Sequence, residues 1–145
     1  VKLLSVAIDR LTQWSLPGLL CIGDAAHAMS PVGGVGINLA IQDAVASANL
    51  LADKLLAPGP LGQDDLDAVR RRRLWPTKAT QALQTAIQRN VFVPVIEATA
   101  APKVPLPMAV VSHVPALQRL SARLLGMGLR PERVASPSAA KAPAT

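Results

Sequence analysis

The residues best suited to chemistry form one continuous stretch, residues 23–38. It places an aspartate, Asp24, two residues after the end of the apolar run 19–22, and its glycine-rich end leads into an amphipathic segment that begins at Ile37. A carboxylate at the end of a buried strand is costly unless something binds it. Glycines that lead into a helix bring backbone N–H groups close to a ligand at the helix N-terminus. The stretch therefore predicts a strand, an acidic loop, a glycine-rich loop and a helix that together hold a ligand.

Residues 23–40, which read GDAAHAMSPVGGVGINLA, carry a resemblance to a known family. The stretch resembles the second flavin-binding motif of FAD-dependent aromatic and ubiquinone-type hydroxylases, the class A flavoprotein monooxygenases similar to para-hydroxybenzoate hydroxylase. Their pattern here is GD-A-A-H-x-x-x-P-x-x-G-x-G-x-N-x-A, and the chain matches every fixed position. The resemblance implies FAD as cofactor, NAD(P)H and O2 as co-substrates of the complete enzyme, and hydroxylation of a small aromatic or quinone-like substrate.

The same resemblance implies roles for the first half of the motif. Asp24 would accept hydrogen bonds from the ribityl hydroxyls of FAD, and Gly23 would be small because backbone and ligand approach closely there. The alternative for Asp24 is a side chain that caps the following loop. Pro31 would lie beside the isoalloxazine as a rigid wall, with an ordinary loop proline as its alternative.

The second half of the motif concerns the loop and the start of the helix. Gly33 and Gly34 would let the loop lie flat against the flavin ring. The backbone amides of Gly36, Ile37 and Asn38 would point at the pyrimidine edge of the flavin. A helix N-terminus has unpaired N–H groups and the positive end of the helix dipole, which suit the negative charge of reduced flavin. The flavin carries the chemistry, so no side chain of this chain is predicted to be catalytic.

For the other polar residues, mainly structural or solvent-exposed roles are expected. His27 has no partner acid at a fixed spacing, so we expect it to be structural or to orient the loop, and a single histidine does not make a metal site. For Asp43 we expect helix packing or a cap contact, with direct contact to the flavin as the alternative. Arg10 is interpreted as solvated or as close to the cofactor. The four arginines 70–73 span a full helical turn and are interpreted as solvated, and nucleic-acid binding is not expected.

The half of the family's cofactor site that holds the adenine and pyrophosphate of FAD has no counterpart in this chain. The family opens with a G-x-G-x-x-G fingerprint, and this chain has none. We therefore expect a C-terminal portion of a flavoprotein (a truncation, an excerpt or a split subunit) that binds FAD weakly and is inactive alone. The alternatives are a non-catalytic interaction module that needs the missing N-terminal region or a partner chain, or another FAD oxidoreductase such as a halogenase or dehydrogenase.

The expected fold is mainly α with one or two short β-strands, as a fragment of an α/β FAD/NAD(P)-binding fold without its N-terminal βαβ unit. Residues 1–92 would be the C-terminal part of the FAD-binding domain. Residues 93–130 would hold a proline-broken segment and an amphipathic helix, and residues 131–145, rich in Ala, Pro and Ser, a disordered tail.

Periodicity and breakers locate the elements. Residues 3–8 are β-like, and residues 19–22 resemble a parallel strand covered on both faces. Helices are predicted over 37–56, over 66–75, over 77–91 after a break at Pro76, and over 115–127, with Gly128 as a stop. Glutamines 81, 84 and 88 would form one polar stripe, and the prolines within 94–107 would give an irregular segment or a broken helix.

Composition limits the setting only broadly. The 145 residues carry a formal net charge of +6 and a single cysteine, Cys21, so no internal disulfide is possible. With no secretory signal visible, a cytoplasmic location is expected. The basic side of helix 115–127 would suit peripheral contact with the inner membrane face, although packing of its leucines on the domain or on a partner subunit is the favoured alternative.

Overall fold

A computed structural model describes residues 7–97 and 111–135 of the chain. Four two-residue strands precede the helices: β1 (Asp9–Arg10), β2 (Ser15–Leu16), β3 (Leu19–Leu20) and β4 (His27–Ala28). β1 pairs antiparallel with β4, with Arg10 opposite His27, and β2 pairs antiparallel with β3. The described chain is thus mostly helical, as predicted, with four very short strands rather than one or two.

The prediction of a parallel strand over residues 19–22 is wrong. A tight turn at Pro17 and Gly18 folds β3 back onto β2, and Gly18 supplies the positive φ of 78° that the turn needs. Leu19 remains 52% exposed, so the segment is not covered on both faces. The partner of this apolar run is its immediate sequence neighbour, which periodicity alone did not reveal. Most of the β-like residues 3–8 lie outside the described residues.

Within the described residues, the helices after the strands include α1 (Gly36–Leu56), α2 (Gln63–Ile87), α3 (Val93–Glu97) and α4 (Pro115–Met127). Single turns connect them to the loops: two 3-10 turns, Gly23–Ala25 and Val32–Gly34, and one π-helical turn, Gln88–Phe92. The predicted helices over 37–56 and 115–127 are confirmed. Gly128 ends α4 as expected, with φ 75° and its N–H bonded to the Leu124 carbonyl at 3.0 Å.

The predicted break at Pro76 is absent, because α2 is continuous through it. An interior proline removes one backbone hydrogen bond and costs about 3 kcal/mol. Here Pro76 is fully buried, and the hydroxyl of Thr77 donates to the Arg73 carbonyl at 2.9 Å in the adjoining turn. Tertiary burial of this helix face offsets the local cost. The helix also begins before residue 66, where the Gly62 N–H donates to the Asp65 carboxylate at 3.0 Å.

The apolar core lies where α1 and α2 face the strands. Leu51, Leu66 and Val69 form its centre, and Leu20 and Ile22 pack against them. Trp14, 1% exposed, extends the buried region toward β4. The core therefore fixes the acidic and glycine-rich loops against the side of α1.

The C-terminal predictions are only partly covered by the described residues. Pro94 lies in the short helix α3, as the broken-helix alternative predicts, and residues 98–110 lie outside the described part. Residues 131–135 bond to α1 and α2, so these five belong to the folded chain rather than to a tail that begins at 131. No helix in the described residues is long and apolar enough to cross a membrane.

Candidate functional site

Asp24 presents its side chain to the surface. It lies in the 3-10 turn that follows Ile22 and is exposed. No described residue donates a hydrogen bond to its carboxylate, and the turn has no side-chain cap. The alternative in which Asp24 caps the following loop therefore finds no support among the described residues. An exposed carboxylate can accept hydrogen bonds from ligand hydroxyls.

Gly23 is required by packing as well as by backbone conformation. Its φ is 57°, and a Cβ added there would lie 2.9 Å from the Cβ of Ala40 on α1. The sequence argument attributed the glycine to close approach of a ligand, whereas the nearest neighbour in the structure is a helix of the same chain. The close approach brings the turn that carries Asp24 directly against α1.

The glycine-rich loop is open on its outer side. Pro31, Gly33 and Gly34 are exposed, and the two glycines have φ values of 81° and 62°. A Cβ on Gly34 would meet no atom within 4 Å. At least one side of this loop is therefore free for a flat ligand to approach the backbone.

The N-terminus of α1 follows directly and is uncapped. Its N-cap residue, Val35, provides no side-chain hydrogen bond. The first amides of a helix have no acceptor within the helix, so those of Gly36, Ile37 and Asn38 are available to a ligand. Ile37 is 69% exposed, whereas Gly36 and Asn38 are partly buried.

These donors and acceptors fit FAD. Asp24 provides acceptors for ribityl hydroxyls, and the first turn of α1 provides N–H donors and a positive dipole end for a carbonyl or anion. The two groups lie at either end of one short loop, 24–36, whose outer side is open. The types of donor and acceptor on this side of the loop thus correspond to the polar groups that FAD would present.

Behind the loop lies a buried charged network that sequence reasoning largely missed. The Asp43 carboxylate, 0% exposed, contacts His27 Nε2 at 2.5 Å and accepts the Gly23 N–H at 3.1 Å and Arg73 Nε at 2.8 Å. Burial by itself would raise the pKa of Asp43, but the hydrogen bonds from His27, Arg73 and Gly23 outweigh it and hold that pKa below its ordinary value. The structural role expected for His27 and the packing role expected for Asp43 agree with this arrangement.

His27 is held on two sides within this network. Because a carboxylate only accepts hydrogen bonds, His27 Nε2 is the donor to Asp43. Its ring lies 5.2 Å from that of Trp14, and its buried Nδ1 has no partner among the described residues. Its contacts are thus all structural, consistent with a residue that orients the loop.

The interpretation of arginines 70–73 as solvated is wrong for Arg73, which is 0% exposed. Helical spacing contained the signal, because Arg73 lies four residues after the buried Val69 and four before the buried Thr77. It therefore falls on the core face of α2. Arg72 instead bonds Glu132 through two nitrogens at 2.8 and 3.0 Å, which lowers the pKa of Glu132 and raises that of Arg72.

Two of the three glutamines in the predicted polar stripe are buried. Gln81 Nε2 donates to the carbonyls of Asp9 and Ala28 at 2.8 and 3.1 Å, and its Oε1 accepts from Arg10 at 2.6 Å. Gln84 Nε2 donates to the Ser30 carbonyl at 2.8 Å. These side chains tie α2 to the backbone just before Pro31, so the stripe faces the loop rather than solvent.

A cavity of about 580 Å³ opens beside Pro31. It is lined by Ile8, Ser30, Pro31, Thr85, Gln88, Arg89, Phe92, Val93 and Ile96. The lining is mainly apolar, and Arg89 is its one charged side chain among the described residues. A cavity of this kind can hold a small, largely apolar molecule with one acidic or polar group.

Comparison with known sequences now identifies the class. The profile of the FAD binding domain family matches residues 1–84, more than half of the chain. The chain therefore belongs to the FAD binding domain family, and FAD is the cofactor that this family binds.

Relatives with named activities support the same class. The chain is 38% identical over 124 residues to 6-methylpretetramide 4-monooxygenase from Streptomyces rimosus, covering 86% of this chain and 29% of that protein. It is 28% identical over 71 residues to protoasukamycin 4-monooxygenase from Streptomyces nodosus subsp. asukaensis, covering 49% of this chain and 17% of that protein. It is also 49% identical over 45 residues to a phenazine 1,6-dicarboxylic acid hydroxylase from Lysobacter antibioticus, covering 31% and 11%. The chain thus spans less than a third of the length of each of these proteins.

Proposed function

We propose that this chain supplies one part of the FAD site of a flavin-dependent monooxygenase that hydroxylates an aromatic or quinone-like substrate. Asp24 holds the ribityl hydroxyls, Pro31 forms a wall beside the ring, and the amides of residues 36–38 bind the pyrimidine edge. Bound FAD supplies the redox chemistry with NAD(P)H and O2. The chain's own residues bind and orient the cofactor.

The observation that carries this proposal is the pairing of Asp24 with the uncapped start of α1. The carboxylate is exposed without a donor among the described residues, and the helix amides have no side-chain acceptor. Both ends of the loop therefore hold unused hydrogen-bonding capacity on the open side of the glycine loop. Gly23 supports the arrangement, since its positive φ and close contact with Ala40 set the turn that carries Asp24.

The cavity beside Pro31 supports a substrate site next to the flavin ring. Its volume, about 580 Å³, suits a substrate with one or a few fused rings. Phe92 and Ile96 offer apolar contacts, and Arg89 offers a bidentate partner for a carboxylate or an ionised phenol. The name of one relative, a phenazine 1,6-dicarboxylic acid hydroxylase, agrees with a ring substrate that carries acidic groups.

The remainder of the site lies outside this chain in the proposal. The chain has no G-x-G-x-x-G fingerprint for the pyrophosphate. Large apolar side chains at the surface, among them Ile37 at 69%, Leu56 at 73% and Trp75 at 59% exposure, agree with a covering region of the same flavoprotein or a partner chain. The interaction-module alternative predicts the same exposed surface but no dependence of FAD binding on Asp24.

A chimera tests the proposal. This chain would replace the matching segment of the Streptomyces rimosus 6-methylpretetramide 4-monooxygenase, and bound flavin would be measured by visible absorbance after purification. We expect flavin to be retained by the chimera and largely lost in Asp24→Ala. The isolated chain is titrated with FAD in parallel, where weak or no binding is expected.

Asp53→Asn is the matched control, because Asp53 is an exposed acid of α1. It should leave flavin content unchanged. A folded chimera that retains flavin equally well with and without Asp24 would reject this assignment and favour a non-catalytic role. Turnover of NAD(P)H uncoupled from any hydroxylated product would instead favour another FAD oxidoreductase.

A further inference from the structure

The Asp43 carboxylate connects the Gly23–Asp24 turn to α2. Its Oδ2 accepts the Gly23 N–H at 3.1 Å, and its Oδ1 accepts Arg73 Nε at 2.8 Å. Both Asp43 and Arg73 are 0% exposed. The position of the turn thus depends on a carboxylate that is held by the Arg73 guanidinium on one oxygen and by His27 Nε2, at 2.5 Å, on the other.

The other side of that guanidinium is held by residues near the C-terminus. Arg73 Nη1 donates to the Arg130 carbonyl at 3.1 Å and lies 3.6 Å from the Glu132 carboxylate. Its Nη2 donates to Gln42 Oε1 at 3.2 Å. A guanidinium is a rigid planar fork, so the groups on its two sides cannot shift independently.

Residues 127–135, here called the C-terminal segment, dock mainly through polar contacts. Gln42 Nε2 donates to the Met127 carbonyl at 2.8 Å, and Arg72 binds Glu132 through two nitrogens. Asn49 donates to the Arg133 carbonyl at 2.7 Å and accepts the Ala135 N–H at 2.8 Å. Few apolar side chains of the segment are covered, since Leu129 is 40% and Val134 76% exposed. The segment therefore contributes contacts to the charged network more than apolar area to the core.

We infer that Arg73 is a positioning residue through which the docked C-terminal segment sets the Gly23–Asp24 turn. The segment completes the hydrogen bonding of Arg73, Arg73 orients Asp43, and Asp43 holds the Gly23 amide. The consequence for cofactor binding rests on the proposed function, whereas the coupling between segment and turn does not. A substitution at residues 130–132 should therefore weaken the hydrogen bond of the Gly23 amide, although more than a hundred residues separate these positions in the sequence.

Amide hydrogen exchange in the full chain, measured residue by residue by NMR, tests the coupling. The Gly23 amide reports the bond to Asp43, and the Cys21 amide, bonded to the Trp14 carbonyl at 2.7 Å, is the internal reference. We expect Arg73→Lys to accelerate exchange at Gly23 by about tenfold relative to Cys21, because lysine keeps the charge but loses the fork. Glu132→Gln should give a smaller acceleration, about threefold.

Matched controls separate coupling from general loosening. Arg71→Lys makes the same substitution two residues away on an exposed side chain, and Glu97→Gln matches the change at Glu132. Neither should alter the ratio of the Gly23 and Cys21 rates. If Arg73→Lys prevents folding, Glu132→Gln alone decides the outcome, because Glu132 contacts Arg72 and Arg73 at the edge of the network and leaves the contacts between Arg73 and Asp43 in place. Equal acceleration at both amides, or none at Gly23 in Glu132→Gln, overturns the inference.

FAD affinity in the chimera provides the separate readout for the cofactor. There Arg73→Lys should weaken FAD binding by about tenfold, with Arg71→Lys unchanged. Selective loosening of Gly23 in a chimera whose flavin is insensitive to Asp24→Ala would leave the coupling intact and reject the proposed function. Loss of flavin in Asp24→Ala with no selective effect at Gly23 would support the proposed function and reject the coupling.

Discussion

The loop that carries the flavin motif has two sides with opposite properties. On the outer side Asp24 is exposed, Gly34 faces open space, and the amides at the start of α1 are uncapped. On the inner side Asp43 and Arg73 are fully buried and hydrogen-bonded to each other. The outer side has unused hydrogen-bonding capacity, and the inner side uses its capacity within the chain. The groups that we propose to bind the ligand and the buried groups behind them are thus separated by a single layer of backbone.

The largest effect is expected when the Asp43 carboxylate is removed from the inner side. Asp43→Ala removes the closer charged partner of the buried Arg73 and leaves only the Glu132 carboxylate, 3.6 Å from its Nη1. We therefore expect a loss of about 3–5 kcal/mol in unfolding free energy, measured by urea titration. Asp53→Asn on the exposed face of the same helix should change stability by less than about 0.5 kcal/mol. Similar effects of the two substitutions would contradict the buried ion pair.

The outer side should behave in the opposite way. Asp24→Ala should cost about 1.5–3 kcal/mol of FAD binding in the chimera, the range for hydrogen bonds to a charged group. Because the side chain is exposed and unpaired among the described residues, unfolding free energy of the isolated chain should change by less than about 0.5 kcal/mol. A large stability loss in the isolated chain would show that Asp24 has a structural partner.

Two glycines of the loop allow the stability contributed by packing to be separated from that contributed by backbone conformation. Gly23→Ala meets both a positive φ and the Cβ of Ala40 at 2.9 Å, so we expect a loss of about 2–4 kcal/mol in unfolding free energy. Gly34→Ala meets a positive φ of 62° but no neighbouring atom, which predicts about 1–2 kcal/mol. The difference between the two, from thermal or urea unfolding, measures the packing of the turn on α1. Equal losses would mean that backbone conformation alone requires Gly23.

The smallest expected effect is the pH dependence of the inner side. The pKa values of Asp43 and Glu132 are lowered in the folded chain, so the stability that these groups contribute is present above their ordinary values, about 4 to 4.5, and is lost as the pH falls through the folded values. Glu132→Gln removes one of these groups and should reduce the loss of unfolding free energy on acidification by about 1 kcal/mol. If the unfolding free energy of Glu132→Gln falls with acidification as steeply as that of the unsubstituted chain, Glu132 titrates alike in the folded and unfolded states.

Local signals predicted the helices that have clear boundaries. α1 and α4 were correctly placed because each combines apolar periodicity with a breaker, Pro58 to Pro60 after the first and Gly128 after the second. The break at Pro76 was predicted wrongly, since a proline signals local cost and not the burial that offsets it. β3 was assigned to the wrong kind of sheet, because pairing partners of four-residue apolar runs are not encoded in periodicity.

In the candidate site, too, some features were predictable from the sequence and others were not. The positions of Asp24, Pro31 and residues 33–38 followed from the motif, and their roles toward FAD stay predictions. The sequence placed no partner beside His27 or Asp43, since Arg73 lies on another helix, 30 residues after Asp43. The cavity beside Pro31 likewise arises from α2 and the π-helical turn after it, far along the chain from the loop.

By itself, the sequence determined the order of residue types along the loop and the two longest apolar periodicities, because both depend on neighbours within a few residues. That was enough to indicate the family and its cofactor. Only the tertiary structure decided which charged side chains are buried, since burial of Asp43 and Arg73 is stable only where each finds the other. It also decided that the C-terminal segment completes this pair, because the contacts join residues that the chain's own order keeps far apart.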